Sequence, residues 1–570
     1  MRRALAAALS LMAWSAAPAS AQAPVAAPGS LGSPTRGPEA RTAPLSLDRP
    51  PPGFARTGAA VSRAAGRVAK VRAARRGLRD TYARPYVKGP PRSRRWQISF
   101  YAPRPDPTPN AELAQVLVDD RTGRVTEAWT GDQVAWTMAR GYPGAFGRSA
   151  NHPVVWLGLS FLFILPFLRR PLRLLHLDLA VLLAFGASYA LFQRAEIGLS
   201  VPTAYPLLLY LFGRCLGIAF ARARGRTPPD RPPLRLAVPY GYLAVALVFL
   251  VGFRVGLNLF DGNVIDVGYS GVIGADRLLE GRGIYGTFPS DNRHGDTYGP
   301  VAYYAYVPFV AALPWSGTWD GLPAAHGAAI AFDLATLLLL FAVGRRVRGP
   351  GLGLLLAYAW AAYPFTLLVS NSSANDALVS ALLLLALLVV ARPVSRGAVL
   401  AAAGLTKFAP LALAPLFATY RGGGHAGEWG EGIGRGRAAL TAGAFALVAG
   451  VLVAPSLVQA DPAVVVGRTL GFQAGRSSPF SVWGQYGLSG LQDAVKLGGV
   501  ALAVVLAFVP RRRDVVVVSA LAGAVIIGLQ LGVSHWFYLY LVWFLPLVLV
   551  AVLGQHEDGL LGRRQTVRPL

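Results

Sequence analysis

Cysteine is nearly absent: Cys215 is the one thiol in 570 residues. No disulfide can form within the chain, and a single thiol cannot build a cysteine-based metal site. Lying inside an apolar run, Cys215 reads as a small apolar filler. Acid is scarce too, with 28 Asp and Glu against 55 Lys and Arg, and only four of those 55 are lysines. The net charge of +27 does not argue for nucleic acid, because a basic patch alone is weak ground for it. The arginines fall instead in short loops between apolar runs, where membrane proteins retain them on one side. No internal repeat is evident, which counts against a transporter built from duplicated halves.

Apolar sequence is what the chain has in excess, at 54% of residues with only 15% charged. From Val154 onward, apolar runs of about 18–25 residues follow one another, as expected of bilayer-crossing helices. The fold class is therefore mainly α, a polytopic helical membrane protein of about twelve or thirteen spans with a small α+β domain at its N-terminus.

The start, "MRRALAAALSLMAWSAAPASAQ", has the basic end, apolar run and small-x-small site of a secretory signal. Residues 1–21 are expected to be a cleaved signal peptide, the other reading being an uncleaved anchor. Residues 22–57, rich in Pro, Ala, Gly and Arg, read as a disordered linker. Residues 58–150 read as an exported domain. "AAVSRAAGRVAKVRAARRGL" predicts a basic helix with Val61, Val68 and Val71 on a thin apolar stripe, and "WQISFYA" alternates as a strand. "AQVLVDDRTGRVTEAWTG" predicts a hairpin turning at Asp120 to Gly123, with Trp96 and Trp129 in the core. The basic cluster Arg63 to Arg95 suits anionic lipid headgroups or polyanionic wall polymers. This order of helix, strands and "VDDRTGRVTEAW" is similar to the PepSY-type domain of exported bacterial proteins. That resemblance covers roughly 60 residues and implies a binding or regulatory module.

Charge sets the orientation of the rest. If the domain is exported, a span at 154–168 ends inside at Arg169, Arg170 and Arg173. Spans at 178–192 and 201–220, which complete an additional N-terminal membrane region (151–235), return the chain to the basic loop 222–235. The span at 236–258 then exits, so residues 263–300 face outward. That stretch collects five acidic groups and three tyrosines. Residues 299–315 are marginally long for a span. They are re-entrant or surface-lying, or else one basic loop breaks the rule. The segment 397–419 must begin and end on the same side, which predicts a hairpin bent near Lys407 and Pro410. Broken helices are tolerated where they line a protein-enclosed cavity. The competing reading is one ordinary span with Lys407 snorkelling. Residues 556–570 form an inside tail.

Several polar groups then share the outer face: Asp266, Tyr269, Asp296 and Tyr298 from the first loop, Asn375 and Asp376 from the next turn, and Lys407 from the bend. Arg468 and Arg476 come from the 459–494 loop, and His535 from the last outer turn. A carboxylate at a cavity mouth can act as general base towards a hydroxyl, and Lys or Arg can hold a phosphate. An ionisable group within a membrane segment is a functional candidate by default, which singles out Lys407. Each acid could instead be a solvated loop residue. His535 could be an interfacial anchor, and the two arginines headgroup contacts.

"DVGYSGVIGADRLLEGRGIY", "DTYGPVAYYAYVPF", "NDALVSALLLLAL", "AAAGLTKFAPLALAPL" and "HWFYLYLVWFLPLV" follow one another as in the GT-C membrane glycosyltransferases. The region 236–555 most resembles the polyprenol-phosphate-mannose-dependent mannosyltransferases (glycosyltransferase family 87). The resemblance implies a polyprenyl-phosphate-sugar donor, and an acceptor hydroxyl on a glycan, glycolipid or protein. By position, Asp266 is the implied base and Lys407 the implied donor-phosphate grip, while Asn375 and Asp376 match a polar pair opening a later span. Tyr298-Gly299-Pro300 stands where a Tyr-Pro-Pro run is usual. No metal site is compelled, although Asp291 and Asp296 could take a divalent cation. A transporter or lipid flippase, and a non-catalytic cell-envelope scaffold, are the competing classes.

Overall fold

The computed structural model describes residues 41–88, 94–103, 111–130, 134, 149–169, 173–194, 196–225, 234–289, 292, 294–319, 321–421, 434–475 and 480–557. The expected signal peptide, the first part of the linker and the tail from 558 lie outside the described residues, as do Asp291 and Arg476.

The N-terminal domain is an antiparallel meander, β1 (Arg41–Thr42), β2 (Tyr82–Lys88), β3 (Arg95–Ala102), β4 (Ala111–Asp119) and β5 (Val125–Thr130), hydrogen-bonded in that order. The hairpin turns where expected. Gly123 sits at φ +71°, and its N–H donates to the Asp119 carbonyl across 2.8 Å. Trp96 and Trp129 are both buried. Two expectations change. The basic helix is two short helices, Gly58–Gly66 and Ala69–Arg75, which pack Val61, Ala65 and Val71 on the sheet. The last part of the expected linker is not loose, because Asp120 clamps it. Its buried carboxylate accepts from the Ala55 N–H (2.7 Å), the Arg56 N–H (3.0 Å) and the Trp96 indole (2.9 Å). β2 carries no strict alternation and holds Pro85, which hid it in the sequence.

Seven helices are long and apolar enough to cross a membrane among the described residues, or eight if one bent pair counts as a single span. This is fewer than the twelve or thirteen crossings expected. The difference lies in shorter apolar helices such as Pro153–Phe167 and Asp376–Leu388, which sequence reading counts as spans. Val515–Gly532 is the central helix, 83% of its apolar window being buried in the protein, whereas the window of Arg435–Gln459 is 6% buried. A helix apolar all round fits either a protein core or lipid, so only packing separates these two.

The bent pair is Pro350–Ala362 and Pro364–Asn371, kinked by 63°. Proline lacks an N–H and frees carbonyls one turn earlier. Those carbonyls are answered here by polar side chains. Thr366 Oγ1 donates to the Trp360 and Tyr363 carbonyls (2.6 and 2.7 Å), and Arg254 Nη1 donates to the Ala361 carbonyl (3.3 Å). Arg254 itself is forked onto Asp333 at 2.6 and 2.9 Å, both residues buried.

The segment 397–419 doubles back. Helix Pro393–Gly404 ends near the bend, a 3-10 turn Ala409–Leu413 follows, and Ala414–Ala418 returns against the first leg. Buried Arg396 ties the feet of the hairpin together, donating to the carbonyls of Val390 (2.8 Å), Tyr420 (3.1 Å) and Ala418 (3.4 Å). Arg513 joins the same end through the Leu416 carbonyl (3.4 Å) and Thr419 Oγ1 (3.1 Å). Arg346 on the Leu388 carbonyl and Arg348 on the Gly554 carbonyl complete it. One end of the bundle is thus basic, and the tip carrying Lys407 lies at the other. Residues 299–315 form two short helices, Val301–Tyr304 and Val307–Ala312, not one span.

Candidate functional site

Asp376 opens helix Asp376–Leu388 and Lys407 lies at the hairpin tip. Their side chains meet at 2.6 Å, Lys407 6% and Asp376 1% exposed. The Trp543 indole donates to the same carboxylate oxygen at 2.8 Å. The ammonium lies 5.2 Å from the Tyr298 ring centre, 5.3 Å from Trp543 and 6.0 Å from Tyr540. Aromatic faces attract a cation at these distances, and they also exclude water, which strengthens the ion pair. Asp376 Oδ2, Asn375 Oδ1 and the Tyr306 hydroxyl are buried with no hydrogen-bond partner among the described residues. Unanswered buried polar atoms are costly, so this cluster can receive further hydrogen bonds.

The bend is built from backbone contact. The Leu405 carbonyl accepts from the Val301 N–H at 3.1 Å. A Cβ on Gly299 would lie 2.0 Å from that same oxygen. Glycine at 299 is therefore what lets the Tyr298 loop close on the hairpin tip. A Cβ on Gly404 would likewise meet Leu411 at 2.3 Å, where the returning leg crosses.

Asp266 is exposed and is the first residue of helix Asp266–Leu279, where the macrodipole favours a carboxylate. The Asn263 N–H donates to the Asn371 carbonyl (2.9 Å) and the Ile265 N–H to the Ser372 carbonyl (3.2 Å). Asp376 is only four residues beyond Ser372, a reach of at most about 14 Å. Asp266 and Lys407 therefore occupy the same end of the bundle. Glycines 268, 271 and 274 let this helix approach the Ser373 carbonyl, Tyr306 and Tyr303 closely.

Asp296, wholly buried, accepts from the Gly286 N–H at 2.7 Å and pairs with Arg468 at 3.1 Å. Its other oxygen, Oδ1, has no partner among the described residues. Burial raises its pKa above the ordinary carboxylate value, against the opposing pull of the Gly286 N–H and Arg468. Arg468 lies in a π-helical turn, Gly467–Gly471, a geometry common at functional sites.

Of the sequence candidates, the structure brings together Tyr298, Asn375, Asp376 and Lys407, with Asp296 and Arg468 adjoining through residues 296–298. Tyr269 does something else: it stacks on Trp319 at 4.7 Å and meets Trp315 edge-on at 5.8 Å. His535 sits in an aromatic group with Phe480, Phe537 and Tyr540, at 5.6 to 6.3 Å. It adjoins the cage through Tyr540. Neither Lys407 nor Arg468 is a bare cation, since each already faces a carboxylate. Among the described residues no group of three His, Cys, Asp or Glu could hold a metal ion.

Tyr540 and Trp543, stacked at 4.4 Å, were missed by sequence reading. Their i, i+3 spacing at the mouth of a span was the available signal. Also missed was a buried polar column below the site. Asn258 Nδ2 donates to the Ser370 carbonyl, His326 Nδ1 lies 3.0 Å from Asn258 Oδ1, and the Arg254–Asp333 pair lies deeper. No protein-family model and no curated protein matches this chain.

Proposed function

We propose that this multi-pass membrane protein is an inverting glycosyltransferase. It would move a sugar, mannose or another hexose, from a polyprenyl-phosphate carrier to an acceptor hydroxyl at the extracytoplasmic face. The observation carrying this reading is the meeting of Lys407, Asp376 and an aromatic cage on a bent hairpin tip, at the same end as Asp266 and the Asp296–Arg468 pair. Asp266, exposed at a helix N-terminus, would take the acceptor proton as the hydroxyl oxygen attacks the anomeric carbon. The carbon–oxygen bond to phosphate breaks in the same displacement. Lys407 and Arg468 would turn from their carboxylate partners to the phosphate as charge grows on it. A phosphate monoester leaves readily, so no acid catalyst is required.

A second reading, a transporter or flippase, is favoured by the Arg254–Asp333 pair, since ion pairs within spans mark translocation paths in other membrane proteins. Asp266→Asn in the full chain separates the readings. The enzyme loses turnover by about 10²–10⁴-fold while still binding polyprenyl phosphate. Unchanged sugar transfer by this variant would sink the assignment of Asp266. Translocation of the lipid without transfer would replace the enzyme reading altogether.

A further inference from the structure

The N-terminal domain carries a charge arrangement that its fold does not use. Between Thr57 and Asp80 there are seven basic residues and no acid. Three of them, Arg72, Arg75 and Arg76, line a recess of about 510 Å³ with Ala69, Leu78 and Thr81. The recess exists because the chain turns sharply after helix Ala69–Arg75, with Gly77 at φ +78° and Asp80 at φ +58°. Its floor is held in place: Arg75 Nε donates to Thr81 Oγ1 at 3.0 Å, and its guanidinium lies 5.1 Å from the Phe100 ring centre. Arg72 and Arg76 flank it, exposed, and make no ion pair among the described residues. Asp80, the nearest acid in the chain, is exposed and pairs with none of them.

Basic residues in a last helical turn complement the helix dipole, but one or two suffice for that. Three guanidiniums around one recess repel each other, and an arrangement of this kind is stabilised by an anion that forks onto them. We infer that this recess binds a phosphate-bearing polymer chain, one phosphate group seated on Arg75 and its neighbours on Arg72 and Arg76. A polymer fits better than a bilayer surface for two reasons. The half-buried Arg75 is reached by a chain entering the recess but not by a plane of headgroups. Leu78 is also the only large apolar side chain lining it among the described residues, whereas interfacial binding needs an apolar face to insert. The inference is independent of the proposed transfer reaction.

The test uses the full chain in detergent with long-chain inorganic polyphosphate as probe, measured across a salt series. The variant R72Q/R75Q/R76Q is compared with R121Q/R124Q, which removes charge from the exposed hairpin of the same domain. Far-ultraviolet circular dichroism and tryptophan emission check that both fold. The expected result is binding by the parent, at least tenfold weaker in the recess variant and near parental in the hairpin variant. The slope of log K against log salt should fall by about two for three lost phosphate contacts. Equal weakening in both variants would overturn the inference, reducing it to bulk charge. So would a parent that ignores polyphosphate but binds phosphatidylglycerol vesicles through the same arginines.

Discussion

Replacing Lys407 with methionine removes the cation facing Asp376 while keeping a side chain of similar length. The parent pair is closed, with 6% and 1% exposure and a 2.6 Å contact, so water cannot take the place of the ammonium. Breaking a buried pair from one side costs about 3–5 kcal/mol, because the surviving charge is left uncompensated. Methionine would return part of the aromatic contact through its sulfur, by about 0.3–1.5 kcal/mol. Asp376 would keep only the Trp543 indole, with Oδ2 still unanswered. Lys407→Met should therefore destabilise the full chain by about 2–4 kcal/mol. Asp376→Asn added to it should restore most of that loss, since the amide oxygen can still accept from Trp543 and no charge remains. Reversible unfolding in bicelles, run as a double-mutant cycle, reads this directly. A single variant within about 1 kcal/mol of the parent, or strict additivity in the cycle, would show that the pair is wetter or looser than the geometry states.

Gly299→Ala should weaken donor binding more than it lowers maximal rate. Its Cβ would push the Leu405 carbonyl and shift the hairpin tip, at about 1–3 kcal/mol of strain; an unaltered KM would refute the coupling. Asp296→Asn should leave thermal stability at pH 7 equal or higher. Burial raises the Asp296 pKa in the folded protein. Its contribution is therefore fully present below the unfolded carboxylate pKa and is lost as pH rises through the folded value. The variant should flatten this decline in a melting series from pH 4 to pH 8, and a steeper fall than the parent's would contradict the sign. Arg254→Met should cost about 3–5 kcal/mol by stranding buried Asp333, measured by the same bicelle unfolding; Arg254→Met with Asp333→Leu should recover much of it.

The two ends of the membrane region show how far sequence reasoning carries. The segment 397–419 was expected to begin and end on one side, and its feet do meet, held by Arg396 on the Tyr420 and Ala418 carbonyls and by Arg513 on the Leu416 carbonyl. Lys407 stood out because lysine is rare here and costly in an apolar setting. Asp376 was a candidate on the same face, but its pairing with Lys407 was not legible, since the two lie 31 residues apart and Trp543 belongs to the last span. Tyr269 is a different case. Its i, i+3 relation to Asp266 is real, yet successive turns of a buried helix face different neighbours, and this ring faces Trp315 and Trp319.

Composition and spacing alone determined that the chain is a helical membrane protein with a small sheet domain, that one segment must fold back on itself, and that polar groups gather at one end. Those conclusions follow from what each local stretch can tolerate in lipid or water. Only the tertiary structure decided which apolar helix is core and which faces outward, and that both marked cations arrive already paired with carboxylates. It also decided that a glycine at 299 is required by a backbone oxygen from another loop. Such outcomes depend on contacts between residues far apart in the chain, and no window of sequence contains both partners.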